Sequence, residues 1–393
     1  MNRTWNQYVV KRENKTLVLT TIINHMPISR ANVAQVTGLN KGTVSSLVSE
    51  LIDEELVKEL GPGESSGGRR PVMLLFNGNA GYSISIELAI GNILGVITDL
   101  NGQIVNEENI PLQTTDFNTI FPIMTQLIKK LIQQAPKSRY GIVGLGIGVP
   151  AVVSQKGEIL LAPNLDWKNI NLKEKLSEIF HLPIYVENEA NAGAYGEMRY
   201  GSSQESKHMI YTSLGIGIGT GMILDGKLYH GLSGFAGELG HMTIIKDGRS
   251  CRCGNHGCWE RYASEQALID EGLNRQLITN DQAEPLDELI KLAAAGDKEV
   301  IKLFEEIGTY IAIGLTNCIN IFNPEHVIIG NKLMKAKEWI YPVIEAYIHD
   351  HAIGFHQNKL KIDSAKLGIY SPVSGMAAFV IEGFLFDRKT TQE

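Results

Sequence analysis

Apolar residues recur at helical spacing through the first fifty positions. Within residues 15–24, Leu19, Ile22 and Ile23 share one face and predict a helix. Pro27 interrupts the pattern; Ser29 can then cap a second short helix that Gly38 ends, and Asn40 can cap a third. In the third segment Val44, Leu47, Val48, Leu51 and Ile52 stand at i, i+3, i+4, i+7 and i+8, which leaves Lys41, Thr43, Ser45, Ser46 and Ser49 on its other faces. A turn-rich linker, GPGESSGGRRPV, begins at Gly61, and the apolar, strand-like run 72–76 follows it, with residues 56–60 before it. Residues 81–105 read as three strands with a hairpin turn at Asn101-Gly102, and residues 207–231 repeat that grammar with Asp225-Gly226. Helical patterns at 120–133, 287–294 and 300–322 lie between and after these strand sets, so the expectation is a two-lobed α/β body made from two halves of one duplicated architecture.

A helix, a tight turn at Gly38 and a second helix with a polar first half form the helix-turn-helix grammar, whose second helix offers its first turns to base edges. Candidate DNA contacts are Lys41, Thr43, Ser45, Ser46 and Ser49, with Arg30 on the preceding helix. Residues 56–60 and 72–76 would flank a wing, and Arg69 and Arg70 at its tip can reach phosphates or a minor groove. The competing reading is an ordinary helical subdomain followed by a solvated linker. Charge bears on the choice: the chain of 393 residues carries 36 Lys plus Arg against 43 Asp plus Glu, a net −7. Residues 1–77 hold nine basic and seven acidic side chains (+2), which leaves 27 against 36 (−9) for the remainder. Any contact with DNA is therefore local to the head, and a dimer with two heads answers the low charge of one. The first fifteen residues lack an apolar signal core, and no run of about eighteen uncharged apolar residues is present. A cytoplasmic protein with no membrane partner is expected.

Three of the four cysteines, Cys251, Cys253 and Cys258, crowd into eight residues, too tight and too odd a set for a disulfide framework. With His241 they read H-x9-C-x-C-x4-C, one imidazole and three thiolates, a complete set for a tetrahedral structural Zn2+ with no open position. The alternative is free thiols beside an unrelated histidine. Cys318 falls in an apolar helix and reads as a core residue.

The run Gly237-Glu238-Leu239-Gly240-His241, followed by the segment from Cys251 to Glu260, resembles the signature of the ROK group of repressors and sugar kinases. Gly146 to Pro150, Ala162-Pro163-Asn164-Leu165 with Trp167, and Asn188-Glu189-Ala190-Asn191-Ala192 extend the resemblance, which with the head and the GRRP turn covers nearly the whole chain. It implies a winged helix-turn-helix over 1–77 followed by an actin-like, hexokinase-type body. The first lobe would span 78–187, completed by 372–393, and the second 188–371 with the zinc loop. It also implies sugar ligands at Asn188, Glu189, Glu238, His241 and Glu260, with Asn164 a weaker candidate, and zinc on His241 and the three cysteines. Carboxylates and amides suit a sugar because each can pair with two adjacent hydroxyls at once.

The family's kinases carry a D-x-G-G-T turn for the ATP phosphates and an aspartate base in N-D-A-N. Here the corresponding positions hold Glu87, Ala89 and Ile90, and Glu189, so the resemblance implies a kinase-like fold without kinase chemistry. Gly215 to Gly221 keeps a phosphate-loop character that a glycine-rich hairpin explains equally well. The expected function is an inducible repressor that binds operator DNA as a homodimer or a higher even oligomer. D-xylose is the expected inducer, closing the lobes and altering the spacing of the heads. The alternatives are an active sugar kinase and a repressor that senses glucose or an N-acetylated amino sugar.

Overall fold

The computed structural model describes residues 7–62, 71–280, 282 and 284–386. The head comprises α1 (Gln7–His25), β1 (Ile28–Ser29), α2 (Arg30–Thr37), α3 (Lys41–Asp53), β2 (Val57–Pro62) and β3 (Val72–Phe76), the strands pairing in the order β1-β3-β2. The caps act as the sequence indicates. Ser29 Oγ accepts from the Asn32 backbone N–H, Asn40 Oδ1 accepts from that of Thr43, and Gly38 ends α2 in the left-handed region at φ 71°. Val44, Leu47, Val48 and Leu51 bury one face of α3 against Val18, Leu19 and Ile22 of α1, while Ile52 is half-buried at its edge. Helix α1 runs longer than its apolar pattern suggested, because Val9 and Val10 near its start are followed by the exposed Lys11, Arg12 and Glu13 and do not continue the later apolar face.

The body's first sheet is built from β4 (Tyr82–Ala89), β5 (Asn92–Asp99), β6 (Ile104–Pro111), β7 (Ile142–Val149) and β11 (Ile184–Asn188). Helix α4 (Phe117–Gln134) packs on this sheet, and a small sheet of β8 (Val152–Val153), β9 (Ile159–Ala162) and β10 (Trp167–Ile170) precedes α5 (Leu172–Phe180). Helix α6 (Glu189–Arg199) follows β11 directly. The second sheet contains β12 (Met209–Leu214), β13 (Ile218–Leu224), β14 (Lys227–Leu228), β15 (His326–Gly330) and β16 (Lys361–Ser364). Around it lie α7 (Glu260–Ala263), α8 (Glu265–Asn274), α9 (Pro285–Ala294), α10 (Lys298–Phe322), α11 (Lys337–His351) and α12 (Gly354–Gln357), and α13 (Ser371–Phe386) closes the described chain.

The strand orders are β6-β5-β4-β7-β11 and β14-β13-β12-β15-β16. In each, a three-stranded antiparallel meander continues into two parallel strands, so the duplication legible in the hairpin grammar extends to whole sheets. Each lobe has its own apolar core. Ile84, Ile86, Leu127, Leu145 and Ile147 fill the first, and Trp259, Leu289, Phe304, Ile311, Leu315 and Ile329 the second.

Two helices join the parts. Helices α6 and α13 cross at contact distance: a Cβ on Gly196 would lie 2.2 Å from the Ser371 carbonyl oxygen, and one on Gly375 would lie 1.8 Å from that of Ala192. At this crossing Glu197 is fully buried, and it accepts hydrogen bonds from the N–H groups of Ser202, Lys366 and Leu367 and from the Ser371 hydroxyl. Further along α13, Ala377, Val380, Ile381 and Leu385 enter the apolar core of the head with Val18, Leu19 and Ile22. Tyr140 Oη donates to the Glu54 carbonyl and its ring meets Phe384 edge-on, which fastens the head to the first lobe. The segment Gly368–Phe386 is long and apolar enough to cross a membrane, yet most of it is enclosed by the head and the first lobe, as in a core helix.

Candidate functional site

The chain from Glu238 to Glu260 leaves the second sheet, makes one turn of 3-10 helix (Leu239–His241) and returns through a loop closed by isolated bridges Thr243 with Cys258 and Ser250 with His256. The loop needs glycine at its tightest point: Gly257 has φ +74°, and a Cβ there would lie 1.7 Å from the Ile245 carbonyl oxygen. Arg249 stacks over the Tyr262 ring and pairs with Glu271 at 3.0 Å, holding the far side of the loop to α8.

This folding brings His241, Cys251, Cys253 and Cys258 together, with their ligand atoms all within 4.8 Å of one another. His241 Nδ1 lies 3.6 Å from Cys251 Sγ, and Cys253 Sγ lies 3.7 Å from Cys258 Sγ. Zn–S bonds of about 2.3 Å and a Zn–N bond of about 2.0–2.1 Å at the tetrahedral angle give edges of roughly 3.8 Å between sulfurs and 3.6 Å between nitrogen and sulfur. These two edges match a tetrahedral site, and no pair of ligand atoms is more than 4.8 Å apart. Burial pushes the Cys251 and Cys258 thiols up, a penalty that a bound dication reverses by stabilising thiolates. Cys318, its thiol raised to about 12 by burial, packs with Ile210 and Met222 away from this cluster.

Carboxylates converge on the cleft side of the quartet. Glu238 Oε2 is 3.9 Å from His241 Nε2, the ring nitrogen facing away from the cysteines, and Glu260 Oε1 is 3.5 Å from Nδ1. Gly217 opens the space between Glu260 and Asn164: a Cβ there would lie 2.8 Å from Glu260 Oε2 and 3.5 Å from Asn164 Nδ2. Glu189, the first residue of α6, accepts from Ser213 Oγ at 3.2 Å and faces Gly219. Asn188 caps α6: Oδ1 accepts from the N–H groups of Ala190 and Asn191 while Nδ2 donates to the Ala151 carbonyl, which leaves one amide hydrogen for a ligand. Burial raises Glu189 to about 7, and removal from bulk water within the cleft raises Glu238.

Deeper in the cleft, Glu87 is raised to about 8 by burial and by the charge of Glu189, with Lys332 opposing the shift. Glu87, Ala89, Tyr211, Glu284 and Lys332 line a cavity of about 440 Å³ on this side. Ala89 ends β4 and Ile90 enters the turn that follows, and both line the cleft beside Glu87 and Glu189. Two glycines of the Gly215–Gly221 run serve packing. Cβ atoms on Gly219 and Gly221 would meet Ala190 and Ala194 of α6 at 2.9 Å and 2.6 Å, so these glycines admit the helix against the hairpin.

Three contacts between the lobes were not read from the sequence. His230 Nε2 lies 2.8 Å from Glu187 Oε2; the other oxygen of Glu187 accepts from the Asn188 N–H and from Asn191 Nδ2. Arg252 Nη1 donates to Asn164 Oδ1 at 3.2 Å, and Gln155 Nε2 donates to the Leu232 carbonyl. The residues stand 43, 88 and 77 positions apart, beyond the reach of any local pattern.

On the head, Lys41, Ser45, Ser46 and Ser49 lie exposed on α3. Thr43 turns instead toward α1, where it lines a groove with Gln7, Lys11 and Asn14. Arg30 pairs with Glu59 at the base of the wing at 3.1 Å. Arg69 and Arg70 lie outside the described residues.

The sequence model described as "ROK family" matches residues 83–382. The chain is 41% identical over 380 residues to a protein of Bacillus spizizenii named xylose repressor, covering 97% of this chain and 98% of that one. Among solved structures it resembles a ROK family transcriptional regulator, described as a homologue of the Escherichia coli MLC protein, with a TM-score of 0.80 and 28% identity over 96% of this chain and 97% of that one. A ROK family glucokinase from Streptomyces griseus, solved with glucose and AMPPNP, has a TM-score of 0.69 and 28% identity over 76% of this chain and 98% of that chain.

Proposed function

The chain belongs to the ROK family, and from that premise we propose that it is a cytoplasmic, sugar-responsive transcriptional repressor that binds operator DNA of xylose-utilisation genes and leaves it when D-xylose binds. The observation that carries the reading is the joining of a helix-turn-helix head to an acidic, hydroxyl-matching cleft through one helix, α13, in a chain similar from end to end to a xylose repressor. In this reading Glu238, Glu260, Glu189, Asn164, the remaining Asn188 amide hydrogen and His241 Nε2 pair with sugar hydroxyls. His241 Nδ1, Cys251, Cys253 and Cys258 hold Zn2+, whose chemistry is a closed, scaffold-forming coordination that fixes the loop bearing Glu238 and Glu260. Lys41, Ser45, Ser46 and Ser49 of α3 face the DNA major groove, flanked by Thr43, Arg30 and the wing arginines Arg69 and Arg70. Two heads in a homodimer read paired half-sites.

Coupling follows from the connections. Asn188 and Glu189 begin α6, α6 crosses α13 at contact distance, and α13 is part of the core of the head. A sugar that draws the two lobes together shifts α6 against α13 and with it the orientation of the head. The lobes in this scheme are 78–187 with 372–393, and 188–371.

The likeness to a glucokinase favours a second reading, an active sugar kinase. Against it, Ala89 and Ile90 put side chains on the turn after β4 where the family's kinases carry glycines for the ATP phosphates, and Glu189 stands where they carry an aspartate base. Assaying the zinc-loaded protein with ATP and xylose, glucose or N-acetylglucosamine, alongside its heat stability with each sugar, separates the readings. The repressor reading expects stabilisation by xylose and no sugar phosphate from any of them; ATP-dependent phosphorylation lost in Glu189→Gln would establish the kinase.

A further inference from the structure

The sugar site depends on the short strap, residues 229–238, that follows β14 and delivers Glu238 to the cleft. The strap turns through left-handed glycines at 231, 234 and 237, so its course is set by its pins rather than by regular structure. One pin is local, the Thr220 hydroxyl on the Gly237 carbonyl. Another crosses the cleft, from His230 on the second lobe to Glu187 on β11 of the first. Glu187 is a shared node: one oxygen meets His230, and the other holds the Asn188 N–H and the Asn191 amide at the start of α6. The two side chains are part-buried, with 36% and 15% of their surfaces exposed, so the pair is only partly screened by water.

We propose that His230 is a positioning residue for the sugar site, a clasp that draws the strap bearing Glu238 onto Glu187 in the closed cleft and holds it most firmly as an imidazolium. The inference rests on the reading of the cleft as a sugar site. The bond to Glu187 raises the affinity of the ring for its proton, with burial opposing, and Glu187 is the charged group acting on the ring among the described residues. Glu238 lies on the same strap, and Asn191, which faces the clasp from α6, does not titrate. The sign follows: the imidazolium is present at low pH and persists to higher pH than that of a free imidazole, and the clasp weakens as pH rises through the titration of the ring. The chemistry is that of a charge-assisted hydrogen bond, whose loss at a part-buried site corresponds to about a tenfold fall in affinity.

The experiment is a calorimetric titration of xylose into the zinc-loaded full-length protein between pH 5.5 and 8.5, for the wild type, His230→Gln and His230→Arg. Other cleft carboxylates titrate in all three proteins, so the differences between the profiles isolate the clasp. The expectation is that His230→Gln binds about tenfold more weakly at pH 6 and draws level with the wild type at high pH. His230→Arg, a permanent cation, should keep its affinity at high pH where the wild type loses it. Parallel wild-type and His230→Gln profiles would overturn the proposal, as would a His230→Arg profile that falls with that of the wild type. No xylose binding by the wild type at any pH would overturn the xylose reading on which the proposal rests, a different outcome from either of these.

Discussion

His241 touches both chemistries of the site, with one ring nitrogen among the cysteines and the other toward Glu238. In the proposed reading metal and sugar meet at this single side chain, and Glu260 stands beside it with its Oε1 3.1 Å from Cys251 Sγ. Removing the metal therefore frees the loop that carries the carboxylates. Chelation, or Cys258→Ser, should lower xylose affinity by about tenfold or more while leaving the first lobe folded, because the loop bearing Glu238 and Glu260 loses the ligands that fix it. Titration of the metal-free protein with xylose, with circular dichroism as the control for folding, checks this. The quartet was legible because its cysteines lie in eight residues and its histidine ten before them, and a short loop closes on itself whatever the fold around it. His230 with Glu187 and Arg252 with Asn164 were not, because each pair meets only after two separate sheets have formed and faced one another. The capping of α6 by Asn188 was hidden for another reason: the resemblance marks it as a ligand, while its geometry commits most of its polar capacity to the helix.

At the scale of elements, the α6–α13 crossing is the part on which the coupling scheme depends. Its glycines leave no room: an alanine at Gly375 would drive a methyl into the Ala192 carbonyl, backbone that cannot rotate away. Gly375→Ala should cost about 1–3 kcal/mol of stability and weaken the response of operator binding to xylose. Gly354→Ala, where a Cβ meets nothing within 4 Å, should change neither. Denaturant midpoints and operator titrations on the two variants test the pair of expectations. The head's helices were legible from apolar spacing and from the caps Ser29, Gly38 and Asn40, since both signals are local. The role of Glu197 was not, because a carboxylate in sequence reads as a surface charge until the turns that donate to it, at Ser202 and at 366–371, are folded around it.

Over the whole molecule, the paired strand orders make the body two copies of one plan, and α13 makes the head a continuation of the first copy. The duplication could be anticipated because each half repeats a hairpin signal. The fusion could not, since Ala377, Val380 and Ile381 look alike whether they face a sheet or another domain. A head that shares its core with the body cannot reorient independently of it, and in the proposed reading this is how a small neutral ligand in a remote cleft controls DNA binding. The measurement that tests this most directly is reciprocal: operator affinity with and without saturating xylose, and xylose affinity with and without operator, at one salt concentration. Linkage requires the two ratios to be equal, and a hundredfold effect corresponds to about 2.7 kcal/mol of coupling. The account predicts that xylose weakens operator binding and that operator weakens xylose binding by the same factor. Xylose affinity unchanged by bound operator would contradict it.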